Sequence, residues 1–284
     1  MSFSPTDAAD PAGGPGPRVD PAEVIARLRA AGCVFAEEEA ALLLQAAPEP
    51  GRLWTLVARR AAGEPLEQLL GRVDFCGLGL AVDPGVFVPR QRTRLLVERA
   101  LPWLRGLAGV RRPVVVDLCC GCGAVGVALA TLAGPVELHA VDVDDAAVAC
   151  ARRNAQGVGG RVYRGDLYGP LPPRLLGAVD VLVANAPYVP TQEIAFMPPE
   201  ARLHEPAVAL DGGGDGLDVV RRIAADAARW LAPDGLFLVE SSRRQAPAVV
   251  EALDASRLRA QLVTDDELDA TAVIARRRVP GHGR

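Results

Sequence analysis

The sequence predicts an α/β fold built on an open, mainly parallel β-sheet with helices on both faces. From Pro113 onward, short apolar segments typical of strands alternate with longer segments of helical spacing. A glycine-rich turn follows the first of these strands, and an acidic residue ends the second. The strand segments are VVVDL, VELHAV, RVYRG, DVLVA, GLFLVE and ATAVIARR, and the helical ones are AVGVALATLA, DAAVACARRNA, LDVVRRIAADAARWL and QAPAVVEAL. In such folds, ligands bind at the carboxyl ends of the strands.

The chain divides into a small helical module and a larger α/β domain. Residues 1–19 are rich in Pro, Gly, Ala and Asp, and we expect a disordered tail there. Residues 20–71 contain three segments of helical spacing, which we expect to recognise the substrate. Residues 72–112 combine an alternating segment broken by glycine, which predicts a β-hairpin, with a linker helix. The α/β domain covers residues 113–279, and residues 280–284 form a second tail.

The composition disfavours several classes of function. The 284 residues carry a net charge of -4, so no broad basic surface is available for nucleic acid. Every basic residue other than the histidines is an arginine, which excludes a catalytic lysine. Six cysteines in a chain of this length do not indicate a disulfide scaffold, and the N-terminus lacks the pattern of a secretory signal. We therefore expect a cytoplasmic protein without a membrane span, and we expect it to be a monomer.

The glycine-rich turn has the features of a nucleoside-cofactor site. Gly121, Gly123 and Gly126 follow the strand VVVD with the spacing G-x-G-x-x-G and precede a helix, whose N-terminus offers unpaired N–H groups. The next strand ends at Asp142, whose carboxylate can bind both hydroxyls of a ribose. Asp166, after the third strand, can accept a hydrogen bond from an adenine amino group, although a lone Asp at a strand end is also a common cap or turn residue. Dinucleotide and S-adenosylmethionine sites share this layout, so the residues alone leave the cofactor's identity open.

The same turn contains a C-x-x-C pair, which raises a metal or redox site as an alternative. Cys119 and Cys122 form the pair, with Cys120 between them. A structural zinc ion requires four ligands, and no second close pair or histidine cluster accompanies these cysteines. We therefore expect no metal and interpret them as small residues that pack in a tight loop.

The segment DVLVANAPYVP, residues 180–190, provides a second chemical motif at the end of the fourth strand. Asn and Pro are ordinary turn residues, which is the simplest interpretation of Asn185 and Pro187. Beside a nucleoside site, the Asn185 side-chain carbonyl and a main-chain carbonyl can also accept both hydrogens of an NH2 group and orient its nitrogen toward an electrophile. Pro187 stiffens the loop, and Tyr188 offers a ring face or a hydroxyl. This arrangement is typical of N-methylation.

Four segments, taken in order, resemble the HemK/PrmC family, whose members methylate the N5 atom of a glutamine in peptide-chain release factors. They are DFCGLGLAVDPGVFVPR, VVVDLCCGCGAVGVALA, NAPYVP and HEPAVALDGGGDGLDVVRR, and the resemblance covers residues 20–279. It implies a Rossmann-like, class I S-adenosylmethionine-dependent methyltransferase domain with a seven-stranded, mostly parallel sheet, a small N-terminal helical domain and a β-hairpin linker. It also implies S-adenosylmethionine as the cofactor and a release factor, or a related glutamine-containing protein, as the partner.

The resemblance further implies the roles of individual residues. In the cofactor site, Asp117, Gly121 and Gly123 would line the methionine end of S-adenosylmethionine. Asp142 would hold its ribose, and Asp166 would lie near its adenine. Asn185 Oδ1 and the Ala186 carbonyl would hold the glutamine amide, with Pro187 and Tyr188 shaping the acceptor pocket. The implied cofactor site comprises Phe87, Arg90, Asp117, Cys119, Gly121, Gly123, Asp142, Val143, Asp166, Leu167 and Asn185, while Glu205 and Pro206 would pack beside the acceptor loop.

Three positions depart from the family pattern. Cys119 stands where the family has the first glycine of D-x-G-x-G-x-G, so the loop has to accommodate a β-carbon there. Ala186 replaces the first proline of N-P-P-Y, which keeps the carbonyl and removes some rigidity. The basic run QRTR follows VPR, where the family has an acidic run.

The motifs and the resemblance together predict transfer of a methyl group from S-adenosylmethionine to the side-chain amide of a glutamine in a protein. An adenine-N6 nucleic-acid methyltransferase is one alternative, because it uses a similar loop on an NH2 group. An N-methyltransferase for a small metabolite and a non-catalytic nucleotide-binding module are the others.

Overall fold

The computed structural model of the protein describes residues 19–277. The predicted C-terminal tail and, apart from Val19, the predicted N-terminal tail lie outside these residues. The chain divides after Leu66 into two compact units. The sequence analysis ends the helical module at residue 71 instead, where the alternating segment begins, and the short helix α4, Leu66–Leu70, lies between these two positions.

From residue 19 onward, the first unit contains three long helices: α1, Pro21–Ala30; α2, Ala36–Ala46; and α3, Pro50–Ala61. Asp20 caps α1, because its side chain accepts a hydrogen bond of 2.9 Å from the Ala22 N–H. Glu39 and Arg60 join α2 and α3 through two hydrogen bonds of 2.7 and 2.9 Å. Apolar side chains at helical spacing form the core of this unit, namely Val24, Leu28, Ala40, Leu43, Leu53 and Val57.

The second unit begins with a β-hairpin and a helix. Strands β1, Arg72–Phe75, and β2, Leu78–Ala81, pair antiparallel, as the alternating segment predicts. Cys76 and Gly77 form the two-residue turn with φ values of +52° and +77°, the left-handed pair typical of tight hairpins. A 3-10 turn, Gln91–Thr93, then leads into α5, Arg94–Ala108.

A seven-stranded sheet occupies the centre of the second unit, in the order β5-β4-β3-β6-β7-β9-β8. Its first five strands in this order are parallel, and β9 pairs antiparallel with both β7 and β8. The strands are β3, Val114–Leu118; β4, Glu137–Asp142; β5, Arg161–Arg164; β6, Val179–Ala184; β7, Leu231–Glu240; β8, Leu258–Asp265; and β9, Ala270–Arg277. The strand order reverses between β3 and β6, which is where open α/β sheets bind their ligands.

Helices cover both faces of this sheet. Buried side chains of α5, α6 and α7 pack against one face, and those of α10 and α11 pack against the other. Helices α6 and α7 are Ala124–Ala133 and Asp145–Ala155, and α8 and α9 are the short helices Pro199–His204 and Ala207–Leu210; α10 is Asp218–Trp230 and α11 is Ala246–Ala255. Within residues 19–277, no helix combines the length and the apolar character that crossing a membrane requires.

The predicted fold class is confirmed, with one strand missing from the sequence-based set. All six predicted strands and all four predicted helices of the α/β domain form. Strand β8 was not predicted. It lies at the edge of the sheet and most of its side chains are at least partly exposed, so it lacks the continuous apolar run of the central strands.

Candidate active site

A cavity of about 900 Å³ opens at the carboxyl ends of β3, β4 and β6. Its size suits a nucleoside cofactor together with an acceptor group. Gly123 is the one predicted site residue that does not line it. The others all do: Phe87, Arg90, Asp117, Cys119, Gly121, Asp142, Val143, Asp166, Leu167, Asn185, Ala186, Pro187 and Tyr188.

The turn between β3 and α6 follows a left-handed path. Gly121 and Gly123 have φ values of +56° and +82°, a region that glycine occupies without steric cost. Cys119 has a φ of +55° as well, so the departure at this position places a side chain in a conformation that costs about 1–2 kcal/mol. A β-carbon on Gly123 would lie 3.3 Å from the Ala151 side chain, so this glycine permits close packing against α7.

Asp117 anchors the start of α6 to the end of β3. It is 1% exposed, and its Oδ2 accepts a hydrogen bond of 2.8 Å from the Gly126 N–H. A β-carbon on Gly126 would lie 2.9 Å from both that oxygen and the Leu138 side chain, so only glycine fits. Burial raises the pKa of the Asp117 carboxyl to about 7, despite the opposing hydrogen bond from Gly126.

Asp142 is oriented by backbone N–H groups at the end of β4. Its Oδ2 accepts from the Gly121 N–H at 2.8 Å and its Oδ1 from the Asp144 N–H at 3.0 Å. Burial raises the pKa of this carboxyl, while those hydrogen bonds oppose the shift. Each carboxylate oxygen retains further acceptor capacity, which is what binding of two ribose hydroxyls requires.

Asp166 and Leu167 follow β5 and line the cavity beside Asp142. The preceding residue, Gly165, donates a hydrogen bond of 2.9 Å to the Asp142 carbonyl, which ties this loop to the end of β4. The Asp166 carboxylate is exposed and forms an ion pair with Arg222 on α10. A ligand that forms a hydrogen bond to the Asp166 carboxylate therefore does so beside Arg222 or displaces it.

The loop after β6 is fixed mainly through its backbone. The Val189 N–H donates to the Leu210 carbonyl at 3.0 Å, and the Gly212 N–H donates to the Val189 carbonyl at 2.9 Å. The Gln245 side chain donates to the Tyr188 carbonyl at 2.8 Å. The glycine run after α9 makes these contacts possible, since a β-carbon on Gly216 would overlap the Tyr188 carbonyl oxygen.

Asn185 contributes its side-chain amide to the cavity wall. In the part of the chain that the structure describes, no protein group bonds to its side chain, although it is partly buried and lines the cavity. Ala186, which follows it, is 1% exposed and also contributes to the wall. The site thus offers the side-chain carbonyl of one residue and the backbone of the next to a bound acceptor.

A buried carboxylate links the loop before α5 to the segment after α8. Glu205 Oε1 accepts from the Arg90 guanidinium at 2.7 Å and from the Val88 N–H at 3.2 Å. The Arg90 guanidinium also lies 5.2 Å from the centre of the Phe87 ring. The structural role that the resemblance implies for Glu205 fits these contacts, which fix the wall that carries Phe87.

Sequence reasoning missed three polar residues that contact the acceptor loop or its neighbours. These are Thr93, Glu240 and Gln245, and Arg92 was noted only as part of the basic run. Glu240 ends a predicted strand, which is the signal that identified Asp142, so it could have been found. Thr93 and Gln245 stand outside any motif, and only the tertiary structure brings them to the site.

The cysteines of the turn are free thiols. Burial raises the pKa of Cys122 to about 12 and that of Cys119 well above its ordinary value. Metal binding and redox exchange both require the thiolate, which these environments disfavour. Among residues 19–277, no three or more His, Cys, Asp or Glu side chains are grouped so as to hold a metal ion.

Comparison with known proteins identifies the family. The family model of the methyltransferase small domain matches residues 79–220. A relative in Streptomyces coelicolor, named release factor glutamine methyltransferase, is 40% identical over 241 residues, which cover 84% of this chain and 82% of the relative. The chain belongs to the HemK/PrmC family of methyltransferases. Another relative, from Streptomyces pristinaespiralis, is 38% identical over 83% of this chain and 81% of its own length, and it is named 4-amino-L-phenylalanine/4-methylamino-L-phenylalanine methyltransferase.

Solved structures of other methyltransferases share this fold at lower identity. The catalytic domain of human Mettl16 superposes with a TM-score of 0.54 at 18% identity, over 78% of this chain and 81% of that one. The 16S rRNA methyltransferase RsmC of T. thermophilus, solved with AdoMet and guanosine, has a TM-score of 0.52 at 23% identity. The match covers 73% of this chain and 50% of the RsmC chain. The predictions of family, fold class and S-adenosylmethionine dependence are confirmed. The glycine turn and the oriented Asp142 carboxylate fit that cofactor.

Proposed function

We propose that this methyltransferase modifies the side-chain amide nitrogen of a glutamine in a peptide-chain release factor. The observation that carries the proposal is that Asn185–Tyr188 and Asp142 line one cavity. A loop able to hold an NH2 group and a carboxylate able to hold a ribose therefore face the same space. We further propose that the protein works as a monomer in the cytoplasm, where release factors function.

The chemistry explains why such a loop is needed. An amide nitrogen is a poor nucleophile because its lone pair is delocalised into the carbonyl, so alignment contributes much of the rate. S-adenosylmethionine supplies an electrophilic methyl group when bound. In our proposal, Asn185 Oδ1 and the Ala186 carbonyl accept the two amide hydrogens and stabilise the positive charge that develops on nitrogen. Pro187 and Tyr188 shape the pocket. The methylated nitrogen then loses one proton to water, so no catalytic base or metal is needed.

Support for a release factor as the substrate comes from the names of several relatives. Besides the Streptomyces coelicolor protein, a Mycobacterium tuberculosis protein of the same name is 40% identical over 73% of this chain and 68% of its own length. We propose that the N-terminal helical unit contributes to recognition of this protein. Its loop between α1 and α2 exposes Val34 at 84% and Phe35 at 65%, and exposed apolar side chains that lie together are suited to protein contacts.

A second candidate is methylation of an aromatic amine on a small molecule. The Streptomyces pristinaespiralis relative carries the name of such an enzyme and is almost as similar as the release factor relatives. An aromatic amine is also an NH2 group attached to a π-system, so the same pair of carbonyl acceptors would suit it. Ala186, where the family has proline, keeps the backbone carbonyl that either acceptor would use.

The experiment that separates these candidates uses purified protein, methyl-labelled S-adenosylmethionine and three acceptors. These are the host's release factors, 4-amino-L-phenylalanine and host DNA, with Asn185→Ala as the matched control. We expect label on a release factor that is lost to protease, resists nuclease and maps by mass spectrometry to a glutamine amide. Label on the amino acid alone would favour the second candidate. Label lost to nuclease, or no transfer to any acceptor, would overturn the proposal.

A further inference from the structure

Two side chains bond to the hydroxyl of Tyr188, and a third side chain bonds to one of these two. Arg92 Nη2 donates a hydrogen bond of 2.7 Å to the Tyr188 hydroxyl oxygen. The Tyr188 hydroxyl in turn donates a hydrogen bond of 3.2 Å to Glu240 Oε1. Arg92 Nε donates to the same Glu240 oxygen at 3.2 Å, and the Thr93 hydroxyl donates to Glu240 Oε2 at 2.5 Å. We call Arg92, Thr93 and Glu240 the phenol clamp.

The phenol clamp is built on fixed elements. Glu240 ends β7 and is 4% exposed, while Thr93 is fully buried at the start of α5. The bonds to Glu240 are charge-assisted and therefore stronger than those between neutral groups. Arg92 is exposed on one side and belongs to the cavity wall. Because Gln245 holds the Tyr188 carbonyl as well, the residue is fixed at both its backbone and its phenol end.

The clamp determines which part of Tyr188 can meet a substrate. A phenol has one hydrogen to donate, and here Glu240 takes it, while Arg92 occupies a lone pair. Burial raises the pKa of the Tyr188 hydroxyl to about 12, and the Glu240 charge adds to the shift. The hydroxyl therefore stays protonated, and its hydrogen bonds go to Arg92 and Glu240. The part of Tyr188 that is left to contact the acceptor is the face of its ring.

We propose that the phenol clamp holds the Tyr188 ring in the orientation that aligns the acceptor nitrogen, and that Arg92 and Glu240 are positioning residues for methyl transfer. The inference rests on the proposed function, in which Tyr188 shapes the acceptor pocket. It gives the basic run after Arg90 a specific role, because Arg92 bridges the phenol and a carboxylate. Misplacement of a reacting group by about 1 Å can cost on the order of a hundredfold in rate.

A double-mutant cycle tests the proposal. In Arg92→Ala and in Tyr188→Phe we expect kcat for the acceptor to fall about tenfold, with the dissociation constant of S-adenosylmethionine changed by less than about twofold. In the double variant, kcat should fall by no more than in the more impaired single variant, because both substitutions break the same contact. Arg94→Ala is the matched control, since Arg94 is a partly exposed arginine of the same run that pairs with Glu98 at 3.1 Å. Additive losses in the double variant would overturn the clamp.

A second readout does not depend on any acceptor. The chain has three tyrosines, so protein labelled with ¹³C at the tyrosine Cζ gives few signals, and Tyr188→Phe identifies the one from Tyr188. We expect Arg92→Ala and Glu240→Gln to shift that signal and Arg94→Ala to leave it in place. An unchanged signal in Arg92→Ala would overturn the clamp even if transfer is observed. A shifted signal without transfer to any acceptor would leave the clamp intact and reject the proposed function.

Discussion

The main-chain N–H of Gly121 donates a hydrogen bond of 2.8 Å to Oδ2 of Asp142. This contact joins the glycine turn after β3 to the end of β4, so two motifs that are separate in the sequence form one site. The carboxylate is oriented by the backbone before a ligand binds, which reduces the entropy lost on binding. The same contact makes the shape of the turn and the position of the carboxylate depend on each other.

Replacing Asp142 should weaken cofactor binding selectively. Asp142→Ala removes the proposed ribose contact and leaves the Gly121 and Asp144 N–H groups without their acceptor. Hydrogen bonds to a charged group contribute about 1.5–3 kcal/mol, so we expect the dissociation constant for S-adenosylmethionine to rise by roughly ten- to a hundredfold in calorimetric titration. Asp145→Ala, which changes an exposed carboxylate nearby, is the control. Unchanged affinity in Asp142→Ala would contradict the assignment of this carboxylate.

Gly126→Ala should destabilise the fold. The added β-carbon would lie 2.9 Å from Asp117 Oδ2 and from the Leu138 side chain, and overpacking of this kind costs about 1–3 kcal/mol. The gain in helix propensity offsets up to about 1 kcal/mol of that cost. Urea denaturation should therefore give a lower free energy of unfolding for Gly126→Ala, while Gly157→Ala, where a β-carbon meets nothing within 4 Å, should match the parent protein. Equal stability of the two variants would refute this account.

The sequence was sufficient for the parts of the fold that follow from local patterns. The central strands are continuous apolar runs, and the G-x-G-x-x-G spacing, Asp142 and the segment from Asn185 to Tyr188 all stand at the ends of such runs. In a parallel sheet, those ends meet at one edge. The cavity could therefore be predicted without knowing any long-range contact. Of the three motif glycines, Gly121 lies in the cavity wall, whereas Gly123 and Gly126 do not line it.

Contacts between distant segments could not be predicted in this way. Arg92 and Tyr188 are 96 residues apart, and the sequence indicated only that the run containing Arg92 is basic. The ion pair between Glu205 and Arg90 could not be predicted either, because neither residue belongs to a periodic pattern. Strand β8 was missed for another reason, since an edge strand that exposes much of its surface has no apolar run to identify it.

Asp117 should make stability depend on pH in a defined direction. The folded state raises the pKa of this carboxyl from 3.8 to about 7, so the folded state binds the proton more tightly than the unfolded state. Stability contributed by this group is therefore present at low pH and is lost as the pH rises between these two values. Asp117→Asn removes the titration and keeps an acceptor for the Gly126 N–H.

The measurement is the free energy of unfolding of the parent protein and of Asp117→Asn, without cofactor, at about pH 5 and about pH 8. Between these conditions the parent protein should lose about 2–3 kcal/mol relative to the variant. Comparing the two proteins cancels the titration of the other groups that the substitution leaves unchanged. A difference that stays constant, or one that grows in favour of the parent protein at higher pH, would contradict the raised pKa.

Asn185 should separate transfer from cofactor binding. Its side chain bonds to no protein group among the described residues, so Asn185→Ala should cost little stability. The variant leaves the Ala186 carbonyl as the only proposed acceptor for the NH2 group, which can then rotate out of line. Loss of one preorganised polar contact to a developing charge lowers kcat by about a hundred- to a thousandfold. We expect that loss in assays with labelled S-adenosylmethionine, together with an unchanged dissociation constant for the cofactor. Asp142→Ala should instead weaken binding of the cofactor and have the smaller effect on kcat. An Asn185→Ala enzyme that keeps most of its activity would show that another group orients the acceptor.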